Sequence, residues 1–170
     1  MSSSERVPGK PTFDRRAVIG LLVLSACGFT PALGTNGPAQ GLLGTVRTAD
    51  PTEKNSFDFV QRMDERLGRP TTPLYDLAYT ITTKAVGVGI TPEGATTRYN
   101  LTGGLDWTLT RRADQTRLTG GHIDSFTSYS ATGSTVAGLV AQQDAALRLM
   151  RLLADQVVEH MIASSAVWAK

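Results

Sequence analysis

Tyr99-Asn100-Leu101-Thr102-Gly103-Gly104-Leu105-Asp106-Trp107-Thr108-Leu109-Thr110 is the stretch that decides the fold. Tyr99, Leu101, Leu105, Trp107 and Leu109 fall on one side of a two-residue period, with Gly103 between them. Arg98, Asn100, Thr102, Asp106, Thr108 and Thr110 fall on the other. A strand apolar on one face only belongs to a sheet that packs helices on one side and stays polar on the other.

Working outward, Arg111 to Arg117 (RRADQTR) form a charged connection into a further strand around Leu118–Tyr129, where Gly120-Gly121 marks a bulge or a close approach. Upstream, Leu77, Tyr79 and Ile81 alternate with Asp76, Ala78, Thr80 and Thr82 as in a half-buried strand, and Gly87, Gly89, Pro92 and Gly94 then build a loop. Phe59, Val60, Met63 and Leu67 share one helical face; Asn55 or Ser56 caps it and Gly68 with Pro70 stops it. Leu42–Val46 reads as a short strand ahead of a turn at Asp50-Pro51. The last helix begins near Ser134. Val136, Leu139, Val140, Leu147, Met150, Ala154, Val157 and Met161 trace its stripe, Leu149, Leu152, Leu153 and Val158 widen it, and it frays from Ser164. The order β-α-β-β-β-α gives an α+β class: two helices on one face of a four-stranded mixed or antiparallel sheet. The domain occupies residues 42–165, residues 166–170 form a frayed tail, and the Gly/Pro-rich 31–41 completes a flexible tether from residue 27.

The N-terminus carries a different signal. Ala17 to Ala26 is ten uncharged residues behind Arg15-Arg16. That is too short to span a bilayer, which takes roughly 20 apolar residues, but it suits the core of a signal peptide over residues 1–26. Leu24-Ser25-Ala26-Cys27 reads as a lipobox, which makes Cys27 the lipidated first residue of the mature chain. One acyl chain holds a protein only marginally, whereas several make residence lasting. Gly28 stands where an Asp retains some lipoproteins in the inner membrane, so it points to the outer one. Arg15-Arg16 resembles a twin-arginine signal only in part, which favours ordinary secretion. Cys27 is the sole cysteine, so no intramolecular disulfide forms.

Composition narrows the function classes. The net charge is +2, and removing residues 1–26 leaves 13 basic and 13 acidic side chains. A neutral body offers no face to neutralise phosphates along a nucleic acid. His122, Asp124 and Ser125 invite a hydrolase triad. On one strand, however, His122 and Asp124 share a face roughly 7 Å apart at Cα while Ser125 points away. His160 sits near a helix end and suits the dipole there. Two scattered histidines and one cysteine give no metal-ligand spacing. The glycines of GVGITPEG (87–94) match no phosphate-loop or dinucleotide fingerprint, and the hydroxyl run 124–130 reads as a strand end or a polar docking surface. Arg111, Arg112 and Arg117 form a solvated hairpin tip or a contact for anionic lipid or an acidic partner. The chain therefore reads as a non-enzyme with no cofactor beyond the covalent lipid on Cys27.

Several pieces in order resemble one family: Cys27-Gly28-Phe29-Thr30-Pro31, Ile90-Thr91-Pro92, Thr97-Arg98-Tyr99-Asn100-Leu101, Trp107-Thr108-Leu109-Thr110, Ser125 to Thr132, and Gln143-Asp144-Ala145. Together they resemble the lipopolysaccharide-assembly lipoproteins (LptE), particularly the alphaproteobacterial members, across the mature chain. The resemblance implies two helices on a four-stranded sheet and residence on the periplasmic side of the outer membrane. It also implies a place as plug inside the LptD β-barrel translocon, assisting barrel assembly and lipopolysaccharide delivery. It implies no catalysis. The alternative is a structural envelope lipoprotein of the same fold with no barrel partner.

Overall fold

The computed structural model describes residues 31–34, 37, 39–131 and 134–168; the signal segment, the lipobox and Cys27 lie outside them. The decisive stretch lies within β3 (Thr96–Arg111), which pairs antiparallel with β2 (Tyr75–Ile90) and with β4 (Arg117–Ser130). A short β1 (Val46–Thr48) lies parallel to β2, so the sheet is mixed, in the order β1-β2-β3-β4. Among the described residues the two α-helices are α1 (Lys54–Leu67) and α2 (Thr135–Trp168). Leu101, Leu105, Trp107 and Leu109 are buried, together with Phe59, Met63, Leu149, Leu153, Val157 and Met161. This is the α+β architecture that the alternation in β3 requires. Gly103 lies under α2, and a Cβ there would stand 3.0 Å from Leu149 Cδ2 and 3.2 Å from Leu153 Cδ1.

Several local expectations are corrected. Leu42 is buried in a 3-10 turn (Gln40–Leu42), and the first strand starts at Val46. The Gly/Pro-rich segment is not a free tether where it is described. Ala39 is fully buried, its N–H donates to the Ala32 carbonyl at 2.9 Å, and Ala32 and Leu33 pack on the core. Glu53, not Asn55 or Ser56, is the N-cap of α1. Ser56 serves from three residues on, where its Oγ accepts from the Glu53 N–H at 2.9 Å.

β2 continues through Gly87 and Gly89 to Ile90, where a loop was expected, with register shifts at those glycines. The bulge in β4 falls at Leu118, between the pairs Leu109–Thr119 and Thr110–Arg117. Gly120 provides the close approach, since a Cβ there would lie 2.5 Å from the Trp107 carbonyl oxygen. α2 does not fray at Ser164. It runs to Trp168, where Ser165 and Trp168 are buried and the Trp168 ring meets Tyr75 edge-on at 5.5 Å.

The stripe of α2 holds from Leu149 to Met161, while Val136, Leu139, Val140 and Leu152 are exposed. Thirty-four residues make a helix about 50 Å long. α1 is 14 residues, and its first residues line one hollow with Leu139, Gln142 and Gln143, past the opening turn of α2.

The helices are tied by a bidentate contact. Arg62 Nε and Nη2 each donate to Asp155 at 3.0 Å, and Arg66 Nη1 adds a third bond at 2.8 Å. Asp155→Ala would leave two half-buried guanidinium groups facing each other without their shared carboxylate. The expected loss, discounted for partial exposure, is about 1–2 kcal/mol in urea unfolding. An unchanged midpoint would mean that packing alone holds α1 against α2.

Candidate functional site

The side of the sheet away from the helices is the surface with concentrated chemistry. Register sets it out in rows running across β2, β3 and β4: Thr80, Asp106 and His122; Thr82, Gly104 and Asp124; Lys84, Thr102 and Phe126; Val86, Asn100 and Ser128. Gly104 opens a notch in this face. A Cβ there would come within 3.1 Å of Thr82 Oγ1, 3.2 Å of Asp124 Oδ1 and 3.3 Å of His122 Cε1. The result is an open depression of about 620 Å³ lined by Thr82, Lys84, Thr102, His122, Asp124 and Phe126 among others. Phe126 stands 63% exposed among these polar groups.

His122 is the chemical centre of the face. Its Nδ1 lies 2.8 Å from Asp106 Oδ1 and its Nε2 lies 3.1 Å from Asp124 Oδ2. Both ring nitrogens can donate only in the imidazolium form, so the Asp106 contact, and then the Asp124 contact, raise its pKa above the ordinary histidine value. A raised folded-state pKa stabilises below about pH 6.5, the unfolded value, and that contribution is lost as pH rises through the folded pKa. NMR titration is expected to place His122 above 6.5, and Asp106→Asn to move it down. A midpoint unmoved by Asp106→Asn would contradict the contact.

As strand parity requires, His122, Asp124 and Ser125 form no triad. Ser125 pairs with Gly103 and lies on the helix side, while the partner that joins His122 and Asp124 is Asp106 from the neighbouring strand. A histidine ring with both nitrogens engaged by carboxylates has no free nitrogen to serve as a base. Asp106 escaped the sequence reading because it depends on cross-strand register. Phe126 was legible as a misfit: Ile123, Thr127 and Tyr129 point inward, so Phe126 had to point out. His160 lies eight residues before the end of α2, too far for the dipole explanation, and meets Trp107 edge-on at 6.5 Å.

The three arginines at the β3–β4 connection do not converge. Arg111 donates to the Trp168 carbonyl at 3.3 Å and pairs with Asp114 at 3.4 Å, and Arg112 pairs with Asp76 at 3.5 Å. Arg117 is exposed on the open face, with Nη2 only 2.9 Å from where a Gly120 Cβ would stand. The hydroxyl run divides by parity: Thr127 Oγ1 donates inward to the Ala145 carbonyl at 2.9 Å, while Ser128 Oγ donates to Asn100 Oδ1 at 2.8 Å on the open face. Among the described residues no helix is long and apolar enough to cross a membrane.

Comparisons with known proteins agree on one direction. The family model LptE, described as lipopolysaccharide-assembly, matches residues 43–161. A lipoprotein from Caulobacter crescentus superposes with a TM-score of 0.66 at 19% identity, covering 77% of this chain and 99% of its own. The rare lipoprotein B of Shewanella oneidensis gives 0.57 at 11% identity, covering 74% and 98%. A lipoprotein B from Nitrosomonas europaea gives 0.56 at 9% identity, covering 74% and 86%. At these identities the structures speak for the fold. Curated protein sequences yield no match.

Proposed function

Since this chain belongs to the LptE lipopolysaccharide-assembly family, we propose that it is an outer-membrane lipoprotein that plugs an LptD-type β-barrel. It is anchored by acyl chains on Cys27, behind the lipobox residues Leu24, Ser25 and Ala26. As a plug it helps assemble the barrel and assists lipopolysaccharide delivery, and it acts by binding, without catalysis. The supporting observation is the open face of the sheet. Thr80, Thr82, Lys84, Asn100, Thr102, Asp106, His122, Asp124 and Ser128 make the side of the sheet away from the helices mostly polar, with Val86 and Phe126 exposed among them. The lumen of a membrane barrel is itself polar, so such a face suits the lumen and not the lipid.

A labelling experiment tests this seating. With Asn100→Cys, a bulky maleimide should react with the isolated protein and be excluded in solubilised outer membrane. Equal reaction in both states would contradict it. For lipopolysaccharide, Arg117 is the strongest of the three arginines, because Arg111 and Arg112 already hold Asp114 and Asp76. Unchanged lipopolysaccharide binding after replacing all three with Ala would end that assignment.

A further inference from the structure

The two edges of the sheet are treated differently. At β4, α2 lies along the strand: Arg148 Nη2 donates to the Ser128 carbonyl at 3.4 Å, and Thr127 bonds α2 from the inner face. β4 also carries Arg117, His122 and Asp124. At β2 the neighbouring strand stops after three residues, because the chain leaves at Asp50-Pro51 for α1. The alternation of main-chain groups along β2 is fixed by its contacts. The Lys84 carbonyl faces β3, where Thr102 Oγ1 donates to it at 3.1 Å, and the Leu77 carbonyl faces outward, accepting from the Ala49 N–H at 2.9 Å. Tyr79, Ile81, Thr83, Ala85 and Gly87 therefore turn their N–H and C=O groups to the outer edge. Among the described residues no hydrogen bond beyond the strand ladders reaches them.

Among the described residues no further strand pairs with this edge, and its irregularity is confined to the register shifts at Gly87 and Gly89. From Ala78 to Ile90 the only charge is Lys84, there is no proline, and Ala85 to Ile90 reads AVGVGI. Sheet edges normally carry charges, prolines or a cover, since an open row of donors and acceptors recruits another strand. Side chains extend the invitation on both faces. Val86 and Val88 are about half exposed, and on the helix side a hollow of about 200 Å³ is lined by Thr83, Leu101, Leu139, Gln142 and Ala146 among others.

We infer that the outer edge of β2 from Tyr79 to Gly87 is a strand-addition site for an extended, uncharged, β-branched-rich segment of the barrel partner. The inference rests on the barrel reading above. A closed barrel wall has its main-chain groups already paired, so the segment comes from a loop or terminal arm and not from a wall strand. Main-chain pairing supplies the affinity, and alternate side chains over Val86 and Leu139 supply the selection.

The test uses the full-length, tagged, lipid-anchored protein recovered from detergent-solubilised outer membrane. Thr83→Pro with Ala85→Pro removes two outward donors and leaves the β2–β3 ladder intact, as proline is tolerated on an edge. Recovery of the barrel partner should fall about tenfold while the melting transition stays in place. In the unsubstituted background, a photo-crosslinking residue at position 83 should capture one extended, non-wall segment of the barrel, which decides the matter if the proline variant unfolds. Wild-type recovery from a folded proline variant, or a crosslink to a barrel-wall strand or a second copy of this chain, would overturn the edge assignment while the barrel reading stands. Failure of the unsubstituted protein to recover any barrel would overturn both.

Discussion

Phe59→Ala is expected to destabilise the domain by about 3–5 kcal/mol, measured as a shift in the urea midpoint. Phe59 is fully buried on the inner face of α1, and its ring lies 4.7 Å from that of Tyr79 on β2. It is therefore a main bridge between α1 and the sheet at the strand whose outer edge is open. Met63 and Leu67 continue the same face and are also buried. Truncation removes the transfer energy of the ring and leaves a cavity under a helix of only four turns. Against a typical total of about 5–15 kcal/mol, that loss unfolds much of the population at modest denaturant. A change below about 1 kcal/mol would mean that α1 is held by Arg62, Arg66 and Asp155 and not by its apolar face.

The second large effect concerns residence in the membrane. Cys27→Ala is expected to abolish acylation and release the chain from membranes washed to break protein contacts. Several acyl chains give lasting residence, and among the described residues no helix crosses a bilayer to replace them. Fractionation with mass analysis of the N-terminal peptide reads both parts at once. Retention of the Ala variant through such a wash, or an unmodified Cys27 in the native protein, would remove the anchor from the account.

How far the sequence could be read depended on how local the determining physics was. β3 was legible because its two faces meet different media, so every second residue reports its side. The β-α-β-β-β-α order followed from that and from the stops at Gly68 and Pro70. The far half of β2 was not legible. Gly87 and Gly89 look like loop residues, yet a Cβ at Gly89 would stand 2.8 Å from Thr97 Oγ1, so the glycine serves strand approach. Leu42 was misplaced because burial in a 3-10 turn and burial in a strand ask for the same residue type. Val136, Leu139 and Val140 fit the stripe of α2, but the stripe cannot tell that the first residues of α1 share a hollow with Leu139, past the opening turn of α2. At the candidate site, the separation of Ser125 from His122 was readable from parity alone. The Asp106 contact was not, since it exists only through the register of β3 against β4. The scatter of Arg111, Arg112 and Arg117 was hidden for the same reason: adjacency in sequence says little about which face each side chain takes at a strand end.

The most direct measurement of the central claim is recovery of the tagged protein from detergent-solubilised outer membrane, with mass spectrometry of its partners and of its N-terminal peptide. A large β-barrel protein in near-stoichiometric amount, together with an acylated Cys27, is the expected result. An acylated Cys27 with no barrel partner would contradict the plug and leave a structural envelope lipoprotein of the same fold.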